Sequence, residues 1–200
     1  MIIPSRLVVA TKNPDKVREV EAVLRRLGVE AEIVRDATWP DVDETELTLE
    51  GNAILKARAA ANATGIAALA DDTGLEVAAL DGRPGVRTAR YAGPDATYEE
   101  NVAELLAELA DVADRRARFR TVVALAEPQG AIRIAEGVLE GSIARRPRGS
   151  EGFGYDPVFI VDGRTLAEMP PEEKNRISHR ARALEAMARL LKGDGRDPRP

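Results

Sequence analysis

The chain has 200 residues, of which 44% are hydrophobic, and it can therefore bury one sizeable core within a single domain. It contains no cysteine, which excludes disulfides, thiolate nucleophiles and cysteine-based zinc sites. The formal net charge of -5 argues against a general affinity for nucleic acid or anionic membranes. Because no apolar run has the length of a signal-peptide core or a bilayer span, we expect a cytoplasmic protein. An anionic ligand would then need a metal ion or a local basic pocket.

The chain begins with a pattern that predicts a strand, a turn and a helix. An apolar run over Leu7–Ala10 is followed by apolar residues at helical spacing from Val17 to Leu27. Asn13 fits the N-cap, Pro14 the first helical position and Gly28 the position just past the helix end. The backbone N–H groups and positive dipole end of such a helix form an anion site. The lysines that flank it are Lys12 and Lys16. The alternative is a well-capped helix with two solvated lysines.

A loop rich in carboxylates follows a predicted second strand over residues 30–34. Its acidic residues are Asp41, Asp43, Glu44 and Glu46. Solvated charge is the simpler interpretation of such a run. The alternative is a hard divalent cation, if this loop meets Asp72 in space, because such ions prefer carboxylate oxygens. An alanine-rich helix is predicted from Leu49 to Thr64, ending at Gly65.

Two adjacent carboxylates, Asp71 and Asp72, follow the short apolar run of residues 66–70. We interpret that run as a buried strand, and charges at its carboxyl end would lie where α/β sheets open their ligand crevices. Because adjacent strand residues point to opposite faces, one carboxylate can face a ligand while the other braces the turn. The alternative is an ordinary turn that caps the strand, since Asp, Thr and Gly are common turn residues.

The remaining elements complete an α/β pattern. The capping box Thr97–Glu100 opens a helix, and residues 119–126 and 132–143 predict a hairpin that we assign to a second lobe. Strand, helix and strand in succession predict a mixed or parallel sheet. Residues 192–200 form a polar segment that we expect to be disordered.

Two later stretches carry candidate recognition residues. Glycines surround two aromatics near residue 153, where Phe153 suits stacking on a planar base and Asp156 suits polar recognition. A flexible turn is the alternative. The only histidine, His179, follows Ser178, which we predict to cap the last helix. Because no catalytic or metal-binding partner accompanies it in the sequence, we assign His179 as a donor to a ligand rather than as a general base.

Five stretches together resemble a known family. They are Thr11-Lys12-Asn13 through Lys16, Asp43-Glu44-Thr45, Ala70-Asp71-Asp72-Thr73-Gly74, Phe153-Gly154-Tyr155-Asp156-Pro157 and Ser178-His179-Arg180. In this order they resemble the inosine triphosphate pyrophosphatase family, which removes non-standard purine nucleoside triphosphates. The resemblance extends from about Leu7 to Leu191. Each motif is weak alone, whereas all five in register are highly specific.

The resemblance implies a fold, an activity and a set of site residues. The fold would be an elongated, two-lobed α/β domain over residues 1–191 with a central mixed β-sheet flanked by helices, assembled as a homodimer. The activity would be Mg²⁺-dependent hydrolysis of ITP, dITP and XTP to the monophosphate and pyrophosphate. By the same resemblance, Asp72 is the proton acceptor and a metal ligand, and Glu44 is the other metal ligand. The triphosphate would be held by Thr11, Lys12, Asn13, Pro14, Asp15, Lys16 and Thr73, and the base by Phe153, Gly154, Tyr155, Asp156, Lys174, His179 and Arg180.

This sequence departs from the family pattern at two positions. Lys12 stands where the family often has a small residue, and Thr73 stands where serine is commoner. Thr73 keeps the hydroxyl, so the role of Lys12 is the one that this departure puts in question. Two other functions are compatible with the same residues: a pyrophosphatase of modified pyrimidine nucleotides, and a non-catalytic sensor that binds Mg²⁺-nucleotide.

Overall fold

The computed structural model describes residues 4–192, which form an α/β fold with a mixed sheet. The strands are β1 (Arg6–Val9), β2 (Glu32–Ile33), β3 (Ala68–Val77), β4 (Pro84–Gly85), β5 (Arg116–Ala126), β6 (Ile132–Ile143), β7 (Phe159–Val161) and β8 (Arg164–Thr165). The α-helices are α1 (Pro14–Arg26), α2 (Leu49–Thr64), α3 (Tyr98–Glu108), α4 (Pro171–Ile177) and α5 (His179–Lys192). The predicted α/β class with a mixed sheet and flanking helices is confirmed.

Strand pairing gives the sheet its mixed character. The strand order is β2-β1-β3-β5-β6-β7-β8, and β4 pairs with β3. Strand β1 is parallel to both β2 and β3, whereas β7 is antiparallel to both β6 and β8. Short 3₁₀ turns occur at Ala78–Leu80, Thr88–Arg90 and Leu166–Glu168.

The chain divides into two compact units, each with its own hydrophobic core. Among the described residues, the first unit contains residues 4–72, 121–137 and 180–192, and the second contains residues 73–120 and 138–179. In the first unit, one face of α1 and one face of α5 pack with β1 and the start of β3. The main side chains there are Leu7, Val9, Val20, Val23, Leu69, Leu184 and Met187. The second unit buries Leu75, Leu105, Leu109, Phe119, Leu139, Phe159 and Leu166.

Local chemistry places the helix ends where the sequence predicts them. The Asn13 side chain caps α1, and Gly28 follows the helix with a φ of 64° that favours glycine. Helix α2 spans the predicted residues and stops at Gly65, which has a φ of 67°. Helix α3 opens on the reciprocal bonds of the Thr97–Glu100 capping box. These predictions are confirmed.

Two predictions about the strands are wrong. Strand β3 does not end at Asp72 but continues to Val77. Its first residues pair with β1, which ends at Val9, and its last residues pair with β4. The two carboxylates therefore lie just past the end of β1, within a longer neighbouring strand. The predicted hairpin exists, but residues 121–137 around its tip belong to the first unit and only its open end belongs to the second, so the hairpin does not by itself form a second lobe.

A short helix that the sequence analysis does not predict, α4, lies before the last helix. Pro171 begins it at a position where a missing N–H costs nothing. Acidic residues in its first turn and basic residues in its last turn suit the helix dipole. Of the predicted tail, only Lys192 is described, as the last residue of α5, and the remainder lies outside the described residues. Between residues 4 and 192, no helix is both long enough and apolar enough to cross a bilayer.

Candidate active site

A cluster of opposite charges surrounds Asp72 in the first unit. The Lys56 Nζ atom lies 3.0 Å from Asp72 Oδ1 and 2.6 Å from Glu44 Oε1. Asn52 Nδ2 lies 3.4 Å from the other Asp72 oxygen. Asn52 and Lys56 are one turn apart on α2 and therefore share a face of the helix. The acidic loop thus does reach Asp72, as the metal hypothesis requires, and Lys56 joins the two carboxylates.

The same cluster shifts the ionisation of its members. Burial raises the pKa of Asp72, which is 6% exposed, and the nearby Glu44 carboxylate acts in the same direction, while Lys56 opposes them. Burial acts to lower the pKa of Lys56, but Asp72, Asp71 and Glu44 outweigh it, so the pKa of this ammonium is raised. Lys56 therefore stays positively charged between two carboxylates. A carboxylate whose pKa is raised is better suited to accept a proton than one whose pKa is lowered.

The donor set fits a hard divalent cation. Mg²⁺ is usually held by one or two carboxylates, with waters and substrate phosphates completing the coordination. Asp72 and Glu44 supply oxygens of that type and converge on one cation, the Lys56 ammonium. No group of three or more metal-binding His, Asp or Glu side chains occurs within the described part of the chain. Protein ligands from this part would therefore be the two carboxylates, with water or phosphate oxygens as the others.

Asp71 has a different set of partners from its neighbour Asp72. Its Oδ2 atom lies 3.1 Å from Lys16 Nζ on α1 and 3.1 Å from Arg180 Nη2 on α5. The other end of the Arg180 guanidinium is bonded to Glu19. The Asp71 and Arg180 side chains are each 2% exposed. One carboxylate oxygen therefore links a strand to two helices through buried ion pairs.

These ion pairs determine which of the two aspartates suits proton transfer. Burial alone would raise the pKa of Asp71, but Lys16, Arg180 and Lys56 hold it well below the usual range of an aspartate. A carboxylate so strongly stabilised in its charged form is a poor proton acceptor. Of the two adjacent carboxylates, Asp72 is therefore the better candidate base, and Asp71 is a structural anchor.

The start of α1 differs in detail from the predicted anion site. The Asn13 Oδ1 atom accepts hydrogen bonds from the backbone N–H groups of Asp15 at 2.9 Å and Lys16 at 3.4 Å. These two N–H groups, which the sequence predicts to bind an anion, already donate to the Asn13 side chain. Thr11 Oγ1 accepts a bond from the Asn13 N–H at 3.2 Å. The helix dipole and the Lys16 ammonium therefore provide most of the attraction for an anion here.

The other residues predicted to bind phosphate lie on the surface or on the strand. Lys12 forms an exposed ion pair with Asp41, and Asp15 pairs with Arg18. Pro14 is the first residue of α1. Thr73 follows Asp72 on β3 and is half-buried.

In the second unit, a buried ion pair shapes the glycine-rich loop around Phe153. Asp156 Oδ2 accepts hydrogen bonds from the Phe153 N–H at 2.8 Å and from the Lys174 ammonium. Gly152 has a φ of 76°, and a Cβ there would lie 2.1 Å from Asp156 Oδ2. The Lys174 Nζ atom lies 4.8 Å from the centroid of the Phe153 ring, within cation–π range. Asp156 and Lys174 therefore hold the loop and its aromatic ring in place.

Two further predicted base-binding residues pack into the interior of this unit. The Tyr155 side chain is 4% exposed, and its hydroxyl donates to the Thr88 carbonyl at 3.1 Å. Burial raises the pKa of Tyr155. The His179 ring is buried with its centroid 4.6 Å from that of Phe119. The Tyr155 ring thus belongs to the core. We therefore expect Tyr155, like Gly154, to contact the base only through its backbone atoms.

Several residues around the carboxylates have no counterpart among the sequence predictions. They are Asn52, Lys56 and Glu19. A signal existed for each: Asn52 and Lys56 are polar residues four apart in an alanine-rich helix, and Glu19 lies three residues after Lys16 on α1. That spacing shows which residues share a face but not which strand the face meets.

Comparison with known proteins agrees with the motifs. A sequence model of the Ham1 family matches residues 7–190. A dITP/XTP pyrophosphatase of Elusimicrobium minutum is 50% identical over 196 residues, which cover 94% of this chain and 100% of that protein. A dITP/XTP pyrophosphatase of Coxiella burnetii is 48% identical over 191 residues, covering 92% of this chain and 96% of that protein.

Solved structures give the same result. A HAM1 protein from Coxiella burnetii superposes with a TM-score of 0.84 at 47% identity, covering 94% of this chain and 98% of that one. The Ham1 protein of Staphylococcus aureus superposes with a TM-score of 0.81 at 37% identity, covering 95% and 100% respectively. The family resemblance predicted from the five motifs is confirmed, and this chain belongs to the Ham1 family.

Proposed function

We propose that this chain is a nucleoside triphosphate pyrophosphatase that hydrolyses ITP, dITP and XTP to the nucleoside monophosphate and pyrophosphate with Mg²⁺. The proximity of Glu44 and Asp72, which both contact the Lys56 ammonium, carries the proposal, because one or two carboxylates together with substrate phosphates are the usual ligands of Mg²⁺. The names of the relatives, dITP/XTP pyrophosphatases, support the substrate class. Removal of such nucleotides would cleanse the nucleotide pool.

Four charged residues of the first unit have roles in this proposal. Asp72 accepts the proton of the attacking water, since of the two adjacent aspartates it is the one whose pKa is not held below the usual range by ion pairs. Asp72 and Glu44 would hold Mg²⁺, and the ion would supply positive charge to neutralise the charge that develops on the phosphate oxygens. Lys56 keeps the two carboxylates close together when both are charged. Lys16, at the positive end of α1, attracts the triphosphate.

The loop of the second unit provides a surface for the base. The Phe153 ring is fixed by the backbone bond to Asp156 and by the Lys174 ammonium. A flat ring held this way suits stacking of a purine, which is worth about 1–3 kcal/mol per base. As the family resemblance implies, we also expect a homodimer, and sedimentation of the purified protein tests its oligomeric state. The expectation of a cytoplasmic protein, which comes from the absence of a signal-peptide core or bilayer span in the sequence, stays a prediction.

Product analysis tests the proposed reaction. With ITP and Mg²⁺, the purified protein should release inosine monophosphate and pyrophosphate, because attack at the α-phosphorus breaks the bond to the pyrophosphate group. Phosphorus NMR of the reaction mixture distinguishes pyrophosphate from orthophosphate. Excess chelator should stop the reaction, and added Mg²⁺ should restore it. Release of the diphosphate and orthophosphate, or full activity in chelator, would contradict the proposal.

A further inference from the structure

An exposed tyrosine lies against the ring of Phe153. The ring centroids of Tyr98 and Phe153 are 5.9 Å apart, and their planes are inclined by 39°. Tyr98 is 40% exposed. The separation is within the range in which aromatic rings attract each other. The two rings therefore form a wedge on the surface of the second unit.

The two sides of this wedge differ in how firmly they are held. Tyr98 is the first residue of α3, where Glu100 N–H donates to Thr97 Oγ1 at 3.1 Å and Thr97 N–H donates to Glu100 Oε2 at 2.7 Å. The helix is anchored further along by buried residues such as Leu105. Phe153 instead lies in a loop next to Gly154, which has a φ of 62° and where an added Cβ would meet nothing within 4 Å. Tyr98 thus begins a capped helix, whereas Phe153, although Asp156 and Lys174 hold it, lies on a loop, where a small shift is less costly than within a helix.

The dimensions of the wedge suit a planar ring. A base stacked between two aromatic rings needs a centroid separation of about 7 Å, which is twice a carbon–carbon contact distance of about 3.5 Å. The observed 5.9 Å falls short of that by only about 1 Å, and the 39° inclination opens one side of the pair. A shift of this size is small for a glycine-containing loop.

We propose that Tyr98 is a second base-stacking residue, which binds the purine against Phe153. Nothing about the phosphate chemistry depends on Tyr98, so its contribution is to affinity and not to the rate of the chemical step. This inference rests on the proposed function, because it assumes that Phe153 receives the base. The ring and not the hydroxyl makes the contact, since stacking uses the face of the ring.

Binding measurements on Tyr98→Ala, with Tyr98→Phe as the conservative variant, test the inference. Calorimetric titration with inosine monophosphate should show about 5- to 10-fold weaker binding for Tyr98→Ala, the lower range for loss of one stacking partner. Tyr98→Phe and the neighbouring control Glu99→Ala should bind like the wild type. Inorganic tripolyphosphate with Mg²⁺ should bind all four proteins equally, because it has no base. Thermal unfolding verifies that each variant is folded.

Each contrary outcome identifies what has failed. Unchanged binding of inosine monophosphate by Tyr98→Ala, or no such binding by the wild type, would overturn the inference. If Tyr98→Ala lost tripolyphosphate binding to the same degree, the loss of binding would be structural. If Tyr98→Phe lost inosine monophosphate binding as strongly as Tyr98→Ala, the contact would belong to the hydroxyl. Either result would also overturn the inference. If the wild type binds the monophosphate through Tyr98 but does not hydrolyse ITP, the proposed function fails while the stacking role stands.

Discussion

Asp72→Asn should lose nearly all turnover of ITP while the protein remains folded. The asparagine side chain has nearly the same shape, but it neither accepts the proton of the attacking water nor balances the charge of a cation. Loss of a general base costs about 10²- to 10⁴-fold in rate. Steady-state turnover of ITP at saturating Mg²⁺, with thermal unfolding as a check on folding, measures the effect.

The matched control for Asp72→Asn is Glu50→Gln, which also removes one carboxylate but at an exposed site in the first turn of α2. This variant should retain wild-type turnover. If folded Asp72→Asn also retained near-wild-type turnover, the catalytic role would have to move to Asp71. The structure argues against assigning the catalytic role to Asp71, because Lys16 and Arg180 hold the pKa of Asp71 far below the range of a useful base.

Arg180→Ala should cause the second large effect, a loss of folding stability. The substitution removes the partner that Asp71 and Glu19 share and leaves two carboxylates in a buried region. Breaking a buried ion pair by removing one member costs about 3–5 kcal/mol. The free energy of unfolding in urea should fall by this amount. Arg180→Lys, which keeps a positive charge, should lose less.

The same variant tests the predicted role of Arg180 in base choice. The family resemblance assigns Arg180, His179 and Lys174 to the base, and hydrogen-bond donors there would favour the O6 acceptor of hypoxanthine or xanthine over the amino group of adenine. A site built around such bonds can reject the mismatched base by about 10⁴-fold. We therefore expect Arg180→Ala to lower kcat/KM for ITP far more than for ATP.

Comparing two substrates on one preparation separates selectivity from folding. The ratio of the two kcat/KM values does not depend on the fraction of enzyme that is folded, because that fraction cancels. Equal losses on ITP and ATP would make Arg180 a structural or phosphate-binding residue. Base recognition would then pass to His179 or to the backbone of the Phe153 loop.

Features that depend on neighbouring residues could be predicted from the sequence. The Asn13 cap, Gly28 and the Thr97–Glu100 capping box follow from backbone chemistry within one turn of the chain. The five motifs identified the family for a different reason, because their order and spacing are specific even though each motif is short. The fold class followed from the alternation of strand and helix patterns.

Features that depend on distant residues could not be predicted. Lys56 meets Glu44 and Asp72 only after the acidic loop, α2 and β3 come together, and Arg180 is 109 positions from Asp71. The end of β3 was misplaced because pairing with β4 outweighs the turn preference of Asp71-Asp72-Thr73-Gly74. Burial of the Tyr155 ring likewise depends on tertiary packing and not on the loop composition.

A substrate panel measured on the purified protein with Mg²⁺ tests the central claim most directly. The panel contains ITP, dITP and XTP, the standard nucleotides ATP and GTP, and a modified pyrimidine triphosphate, with kcat/KM determined for each. The account predicts that the three non-standard purine nucleotides are hydrolysed to monophosphate and pyrophosphate, with ATP rejected by roughly 10⁴-fold. Equal activity on ATP, preference for the pyrimidine, or binding of ITP without turnover would contradict it.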